Sequence, residues 1–353
     1  MISRFLLLLA FFFALFFTGC SSSQLETWHT VKLTEEYRGD DTDEVQSFAD
    51  YLELEDRLFE ELDEKVYSTV GTGPEFALHR YSRGSASDPD TFSFNYNRTF
   101  ELDADEPRGA VLLIHGMSDS PYSLAAIGHL LHADGYQVLG LRVPGHGTAP
   151  AALTRARWQD MAAAVELAME HLTEEVAAKP VHIIGYSHGA ALALNQALDA
   201  LDDPDRVAPD SLVLISPAIG IARAAALAGT AATVSRVPGF SGLRFTTIMP
   251  EFDPFRYNSF PTNGGTQTHK LTRQVASRIA RLESSGRGHE MPPVLVIKST
   301  VDATVSNDAM IDALLGRLPD NGHELIVFDI NRVAGAMSVL VSNPAPFTQR
   351  LAD

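Results

Sequence analysis

Apolar and polar positions follow three different rhythms along the chain. Residues 5–17 form an unbroken apolar run of 13 residues behind Arg4. A bilayer-spanning helix needs ~20 such residues, so the run has the length of the apolar core of an export signal. Over residues 44–67, Phe48, Leu52, Leu58, Leu62 and Val66 recur at helical spacing, with Leu54 and Phe59 alongside. That spacing predicts an amphipathic helix. From residue 76 the rhythm changes again. Phe92–Leu102 alternates like an early strand pair. Short apolar runs follow at Ala110–His115, Tyr136–Arg142, Val181–Gly185, Ser211–Ser216, Val294–Ser299 and Glu324–Ile330. Helical stretches at about 121–134, 154–177, 188–201, 271–284 and 306–317 separate them. Strand–helix alternation of this kind predicts an α/β fold: a mostly parallel sheet covered by helices on both faces. Ligands of such sheets bind at the carboxyl ends of the strands. No internal repeat is evident.

Composition narrows the function classes. The 353 residues carry 27 Lys and Arg against 45 Asp and Glu, a formal net charge of −18. This excludes nucleic acid as an expected partner, because a phosphate-neutralising surface needs the opposite sign. A hydrophobic fraction of 45% suits a folded domain with a sizeable core. Residues 35–65 hold 14 acidic and 3 basic residues, more than half of the net charge. Two readings of the helix there are open: a charged helix packed on the domain, or a partner-docking helix or spacer. Cys20 is the only cysteine, so no internal disulfide and no cysteine-built metal site can form. It ends the sequence Phe17-Thr18-Gly19-Cys20, which resembles a bacterial lipobox with Phe17 where Leu is usual. The resemblance implies a signal peptide over 1–19, lipid attachment at Cys20 and a lipidated tether over 20–43. Acyl chains on one cysteine would hold the protein to a membrane. Ser21, being no Asp, favours the outer membrane, facing the periplasm. The acidic helix is expected within 44–70 and the main domain over 71–353.

Gly185-Tyr186-Ser187-His188-Gly189 fits G-x-S-x-G between a predicted strand and a predicted helix. A sharp turn there would raise the Ser187 hydroxyl above the sheet, and the flanking glycines would make room for it. Ser187 is therefore the candidate nucleophile. The N-terminus of the following helix offers N–H groups and positive potential to an oxyanion.

HGMSDSP at 115–121, RVPGHG at 142–147, GYSHGA at 185–190 and STVDATV at 299–305 stand in that order. Together they resemble the α/β-hydrolase superfamily over about residues 76–330, nearest the branch of monoacylglycerol lipases, lysophospholipases and serine aminopeptidases. The resemblance implies an α/β-hydrolase fold with a helical cap inserted after the sixth strand, at about 217–271. It also implies hydrolysis through a serine acyl-enzyme, with no cofactor and no metal. The amides of Met117 and His188 would form the oxyanion hole. His115 would orient its loop and His146 would shape the next one. Asp302 is the expected triad acid, with Asp308 the lesser candidate. Ala218–Leu243 carries only two charges, Arg223 and Arg236. Either an apolar cap over the serine or an alanine-rich core helix fits it. Aromatic residues of the segments 250–254 and 257–261 would line the acyl or leaving-group site.

The sequence departs from the pattern at the base. His323 is the only histidine after Asp302, and it precedes a predicted strand, which puts it at the amino edge of the sheet. Three explanations stay open: a further C-terminal segment carries the base, His146 or His188 substitutes, or the protein is an inactive relative. The expected activity is cleavage of a small-molecule carboxylic ester or lipid, such as a monoacylglycerol, a lysophospholipid or a short-chain ester. An aminopeptidase-like hydrolase and a non-catalytic surface lipoprotein are the alternatives.

Overall fold

The computed structural model describes residues 25–40, 44–219, 244–299 and 307–328. Seven strands form the main sheet: β1 (Phe100–Leu102), β2 (Ala110–Ile114), β3 (Gln137–Leu141), β4 (Val181–Tyr186), β5 (Ser211–Ile215), β8 (Val294–Ser299) and β9 (Glu324–Phe328). Their order is β1-β3-β2-β4-β5-β8-β9, and only β1 runs antiparallel to its neighbour. Two further short strands, β6 (Phe245–Thr247) and β7 (Phe260–Pro261), pair antiparallel outside the sheet. This is the α/β-hydrolase architecture.

Both faces of the sheet are covered, which is why its central strands read as continuous apolar runs rather than alternating ones. Every residue of β2 is buried. Ala110, Leu112 and Ile114 point to one face, into a core shared with α5 (Trp158–Val176), α6 (His188–Asp202) and α7 (Thr262–Ser284). Val111 and Leu113 point to the other, against Leu124 and Ala125 of α3 (Tyr122–Ala133). α8 (Asn307–Ala313) lies between β8 and β9, the last strand among the described residues.

Three expectations are corrected. Phe92–Leu102 gives one strand, β1, rather than a pair, because its aromatic residues pack side by side in a loop. Phe92 meets Phe255 with ring centroids 4.9 Å apart, and Phe94 meets Tyr96 at 4.8 Å. The chain that follows Ser216 therefore comes after the fifth strand, not the sixth. Its residues 220–243, on which the expected helical cap falls, lie outside the described residues. The helix expected from 271 begins at Thr262, behind Pro261. Gly264 and Gly265 in its first turn disguise that start.

The acidic segment is packed on the domain. α2 (Phe48–Lys65) opens with a reciprocal cap, in which the Asp50 N–H donates to Ser47 Oγ at 3.2 Å and the Ser47 N–H to Asp50 Oδ2 at 2.9 Å. It buries Phe48, Tyr51, Leu54, Leu58, Phe59 and Leu62. The described part of the expected tether, residues 25–40, is folded too. It forms α1 (Thr27–Thr30) and lies against α4 (Pro150–Leu153) and the loop after β3. The expected signal peptide and Cys20, the expected site of lipid attachment, lie outside the described residues.

Candidate active site

β4 ends at Tyr186 and α6 begins at His188, so Ser187 alone makes the turn between them. Its backbone takes φ 53° and ψ −108°, a conformation that L side chains rarely adopt. Long-range hydrogen bonds hold it there. The Ser187 N–H donates to Ile215 O at 2.9 Å, and Ser187 O accepts from the Ala218 N–H at 3.0 Å. The glycines are required by space. A Cβ at Gly189 would stand 2.1 Å from Ile114 O, and one at Gly185 would stand 2.6 Å from Ala190 Cα. The Ser187 side chain is half-buried at the carboxyl edge of the sheet.

The 115–121 loop leaves β2 on the same edge. A Cβ at Gly116 would lie 3.0 Å from the Tyr186 ring and 3.5 Å from Ser187 Cβ, so the loop runs directly beside the serine. Among the described residues no turn or loop hydrogen bond engages the N–H of Met117 or of His188. The first N–H groups of a helix have no intrahelical acceptor. The amides of Met117, in the loop beside Ser187, and of His188, directly after it, are thus available as donors. Met117 is further held by α7, where a Cβ at Gly264 would come within 3.2 Å of Met117 Sδ.

The histidines below these loops are structural. His115 Nε2 accepts from the Val143 N–H at 3.1 Å while Nδ1 donates to Gly116 O at 2.9 Å, which ties the end of β2 to that of β3. His146 Nδ1 donates to Val143 O and Pro144 O at 3.1 and 3.2 Å. The His115 and His146 rings meet edge-on at 4.9 Å. His188 Nε2 lies 3.2 Å from Met161 Sδ. Burial holds His146 at a pKa of about 4 and His188 at about 3, and it drives His115 well below the usual range. Among the described residues no side chain hydrogen-bonds Ser187, these histidines included. His323 Nδ1 accepts from the Val294 N–H at 3.2 Å, which sets it at the amino end of β8, away from the serine. Asp302 lies outside the described residues, as does the Asp308 side chain. Ser299, three residues before Asp302, ends β8 on the serine edge of the sheet. Among the described residues no three His, Cys, Asp or Glu side chains gather as a metal site would require.

Two supports of the site were not anticipated. Arg142, 1% exposed, follows β3 and begins the His146 loop. Its Nε donates to Glu55 Oε2 of α2 at 2.8 Å, and its Nη1 to Glu36 Oε1 at 3.0 Å and His146 O at 3.1 Å. Glu55 also accepts from the Thr99 N–H at 2.8 Å. The motif RVPGHG contains the arginine, but nothing local says which of many acids meets it. Tyr257, from the second aromatic segment, is buried; its hydroxyl accepts from the Thr148 N–H at 2.9 Å and donates to Gly145 O at 3.2 Å. Its own N–H donates to Ser118 O at 2.8 Å, so it pins two site loops at once.

The description "serine aminopeptidase, S33" belongs to the family model that matches residues 105–330. No curated protein matches the chain. Among solved structures, the monoacylglycerol lipase of Paleococcus ferrophilus resembles this chain with a TM-score of 0.50 and 17% identity, covering 66% of this chain and 88% of its own. The monoglyceride lipase of Saccharomyces cerevisiae gives 0.49 and 17%, covering 72% and 90%. At 17% identity the first of these likenesses speaks for the fold alone. The family match runs from just before β2 to just past β9 and takes in the Gly116 loop and the Ser187 turn, and the chain accordingly belongs to the serine aminopeptidase, S33 family of α/β-hydrolases.

Proposed function

We propose that this protein is an exported, lipid-anchored serine hydrolase that cleaves carboxylic esters with an apolar acyl group. A monoacylglycerol, a lysophospholipid or a short-chain ester is the substrate class. The observation that carries the reading is the strained backbone of Ser187 at the carboxyl edge of the sheet, with the Gly116 loop beside it and the helix N-terminus at His188 directly after it. In this mechanism Ser187 Oγ attacks the ester carbonyl, and the developing oxyanion takes hydrogen bonds from the Met117 and His188 amides. Such donors act at full strength because folding has already oriented them. The alcohol leaves after protonation, and water then releases the acid from the acyl-serine. Asp302 orients the base. His115, His146 and His188 are buried, and among the described residues none of them hydrogen-bonds Ser187, which speaks against each as that base. Membership of the family and the lipase neighbours favour ester chemistry.

An aminopeptidase-like action would want a carboxylate free to hold a substrate amine. Asp119 is the acid of the oxyanion loop, and its Oδ1 accepts from the Ser120 N–H at 3.0 Å. A carboxylate accepts more than one such bond, so turnover of substrate separates this reading from the ester reading. A fluorophosphonate probe tests it. The protein should be labelled and the Ser187→Ala variant should not. Labelled protein should turn over glyceryl esters faster than aminoacyl amides. An unlabelled, folded protein would leave the non-catalytic alternative, and undiminished ester hydrolysis by Ser187→Ala would overturn the assignment.

A further inference from the structure

The folding of residues 25–40 onto the domain leaves very little tether. His29 Nε2 lies 3.0 Å from Ser259 Oγ, beside β7, and the Trp28 ring packs against His79 at 4.5 Å. Farther on, Glu36 accepts from Arg142. Cys20 and Leu25 are five residues apart, and five residues reach at most ~18 Å in any conformation. A lipid on Cys20 therefore holds one particular face of the domain close to the bilayer, the face around α1.

That face has the chemistry of an interface. A cavity of about 170 Å³ lies between the 32–38 segment and the loop after β3, lined by Lys32, Arg38 and Arg155 together with Glu36, Arg157 and Asp160. The acids in its wall are already matched, Glu36 to Arg142 and Asp160 to Arg157. Lys32, Arg38 and Arg155 have no ion-pair partner among the described residues. Arg244 stands close by, since it and Arg38 help burial to lower the Arg155 pKa. In a protein of net charge −18 this is a local excess of positive charge. Large apolar side chains are exposed beside it. Met249, 44% exposed, shares Ser259 Oγ with His29, and Phe252 is 49% exposed. Leu78, 66% exposed, precedes the His79 that packs on Trp28. Cations that meet headgroups beside apolar side chains that enter the acyl boundary make a membrane-binding surface.

We propose that the face formed by α1, Lys32, Arg38, Arg155 and the Met249–Phe252 segment docks on a bilayer of anionic phospholipid. A headgroup phosphate enters the cationic cavity. The choice of face rests on the Cys20 anchor proposed above, and the docking chemistry rests on the cavity and its apolar neighbours. Its consequence is orientation. Pro144 and Gly145 of the cavity wall follow β3 at the carboxyl edge of the sheet, and Tyr257 ties the 249–261 segment to the oxyanion loop. Docking thus turns the serine edge toward the lipid, so that an ester in the bilayer is presented to Ser187.

The test uses the full chain, extracted from membranes and reconstituted into phosphatidylcholine vesicles with or without phosphatidylglycerol. An acylated Cys20 leaves a thiol introduced by Met249→Cys free for an environment-sensitive fluorophore. Ile326→Cys, exposed on β9, the outermost strand among the described residues, is the reference. The label at 249 should be shifted to the blue and quenched by lipid-borne nitroxide when phosphatidylglycerol is present, and the label at 326 should not. Each cation removed should lower the docking equilibrium constant about fivefold, so Lys32→Gln, Arg38→Gln and Arg155→Gln together should lower it about a hundredfold. Equal behaviour of the two labels, or indifference to the triple substitution, overturns the proposal. A Cys20 that reacts with maleimide shows that the anchor itself is absent. Sedimentation with phosphatidylglycerol vesicles then decides: the proposal stands if the triple variant alone stays in solution and falls if the two chains sediment alike.

Discussion

Replacing Ser187 by glycine should stabilise the protein while abolishing its chemistry. Ser187 has φ 53° and ψ −108°, where a Cβ crowds its own backbone. A non-glycine residue held in such a region costs ~1–3 kcal/mol. Glycine removes that cost but brings ~0.4–1 kcal/mol of extra chain entropy to the unfolded state. The comparison is with Ser187→Ala, which loses the same hydroxyl and keeps the Cβ. The difference between the two variants should be ~0.5–2 kcal/mol in favour of glycine. Urea unfolding at constant slope measures it as a shift in midpoint. Both variants should be silent to a fluorophosphonate, so the gain in stability cannot be traced to retained function. Equal midpoints, or a less stable glycine variant, would refute the claim that this turn stores strain. The same result would weaken the case that the hydroxyl is held up for attack.

Two further outcomes follow from the supports of the site. Glu55→Ala leaves the Arg142 guanidinium buried with one carboxylate fewer, and breaking a buried pair costs ~3–5 kcal/mol. It should lower stability by about 3 kcal/mol, since Glu36 remains, whereas Arg57→Ala on an exposed pair should change it by less than ~1 kcal/mol. Equal urea midpoints for the two would sink the clamp. The second outcome concerns pH. His146 stays neutral down to about pH 4 in the native state, whereas the unfolded chain takes up that proton near pH 6.5. The unfolded state therefore binds more protons between those values, and stability is whole above 6.5 and falls toward pH 4. About 3 kcal/mol of that fall belongs to His146. Urea titrations from pH 7 to 4 should show a shallower fall in His146→Gln, and parallel curves would contradict the burial argument.

The sequence by itself determined the order of strands and helices, because the apolar period within each element reports local geometry. The fully apolar run Ala110–Ile114 already implied a strand covered on both faces. G-x-S-x-G between a strand and a helix implied the turn at Ser187, since only one chain path joins those elements at that spacing. His323 was legible as lying at the wrong end of β9 from strand length alone. What stayed hidden was every contact made across distant parts of the chain. The helical period of α2 announced a buried face but not the surface that buries it. Glu55 reads as one more charge in an acidic run until Arg142, 87 residues away, is seen beneath it. Residues 25–40 read as a tether because they are polar and short in pattern, yet His29, Trp28 and Glu36 each find a partner more than 50 residues off. Phe92–Leu102 alternates as a strand would, and only the arrival of Phe255 from the far side of the sequence decides that its first half is a loop. Periodicity encodes which side of an element seeks burial. The identity of what covers that side is settled by packing, where one desolvated charge or ring selects its partner from the whole molecule.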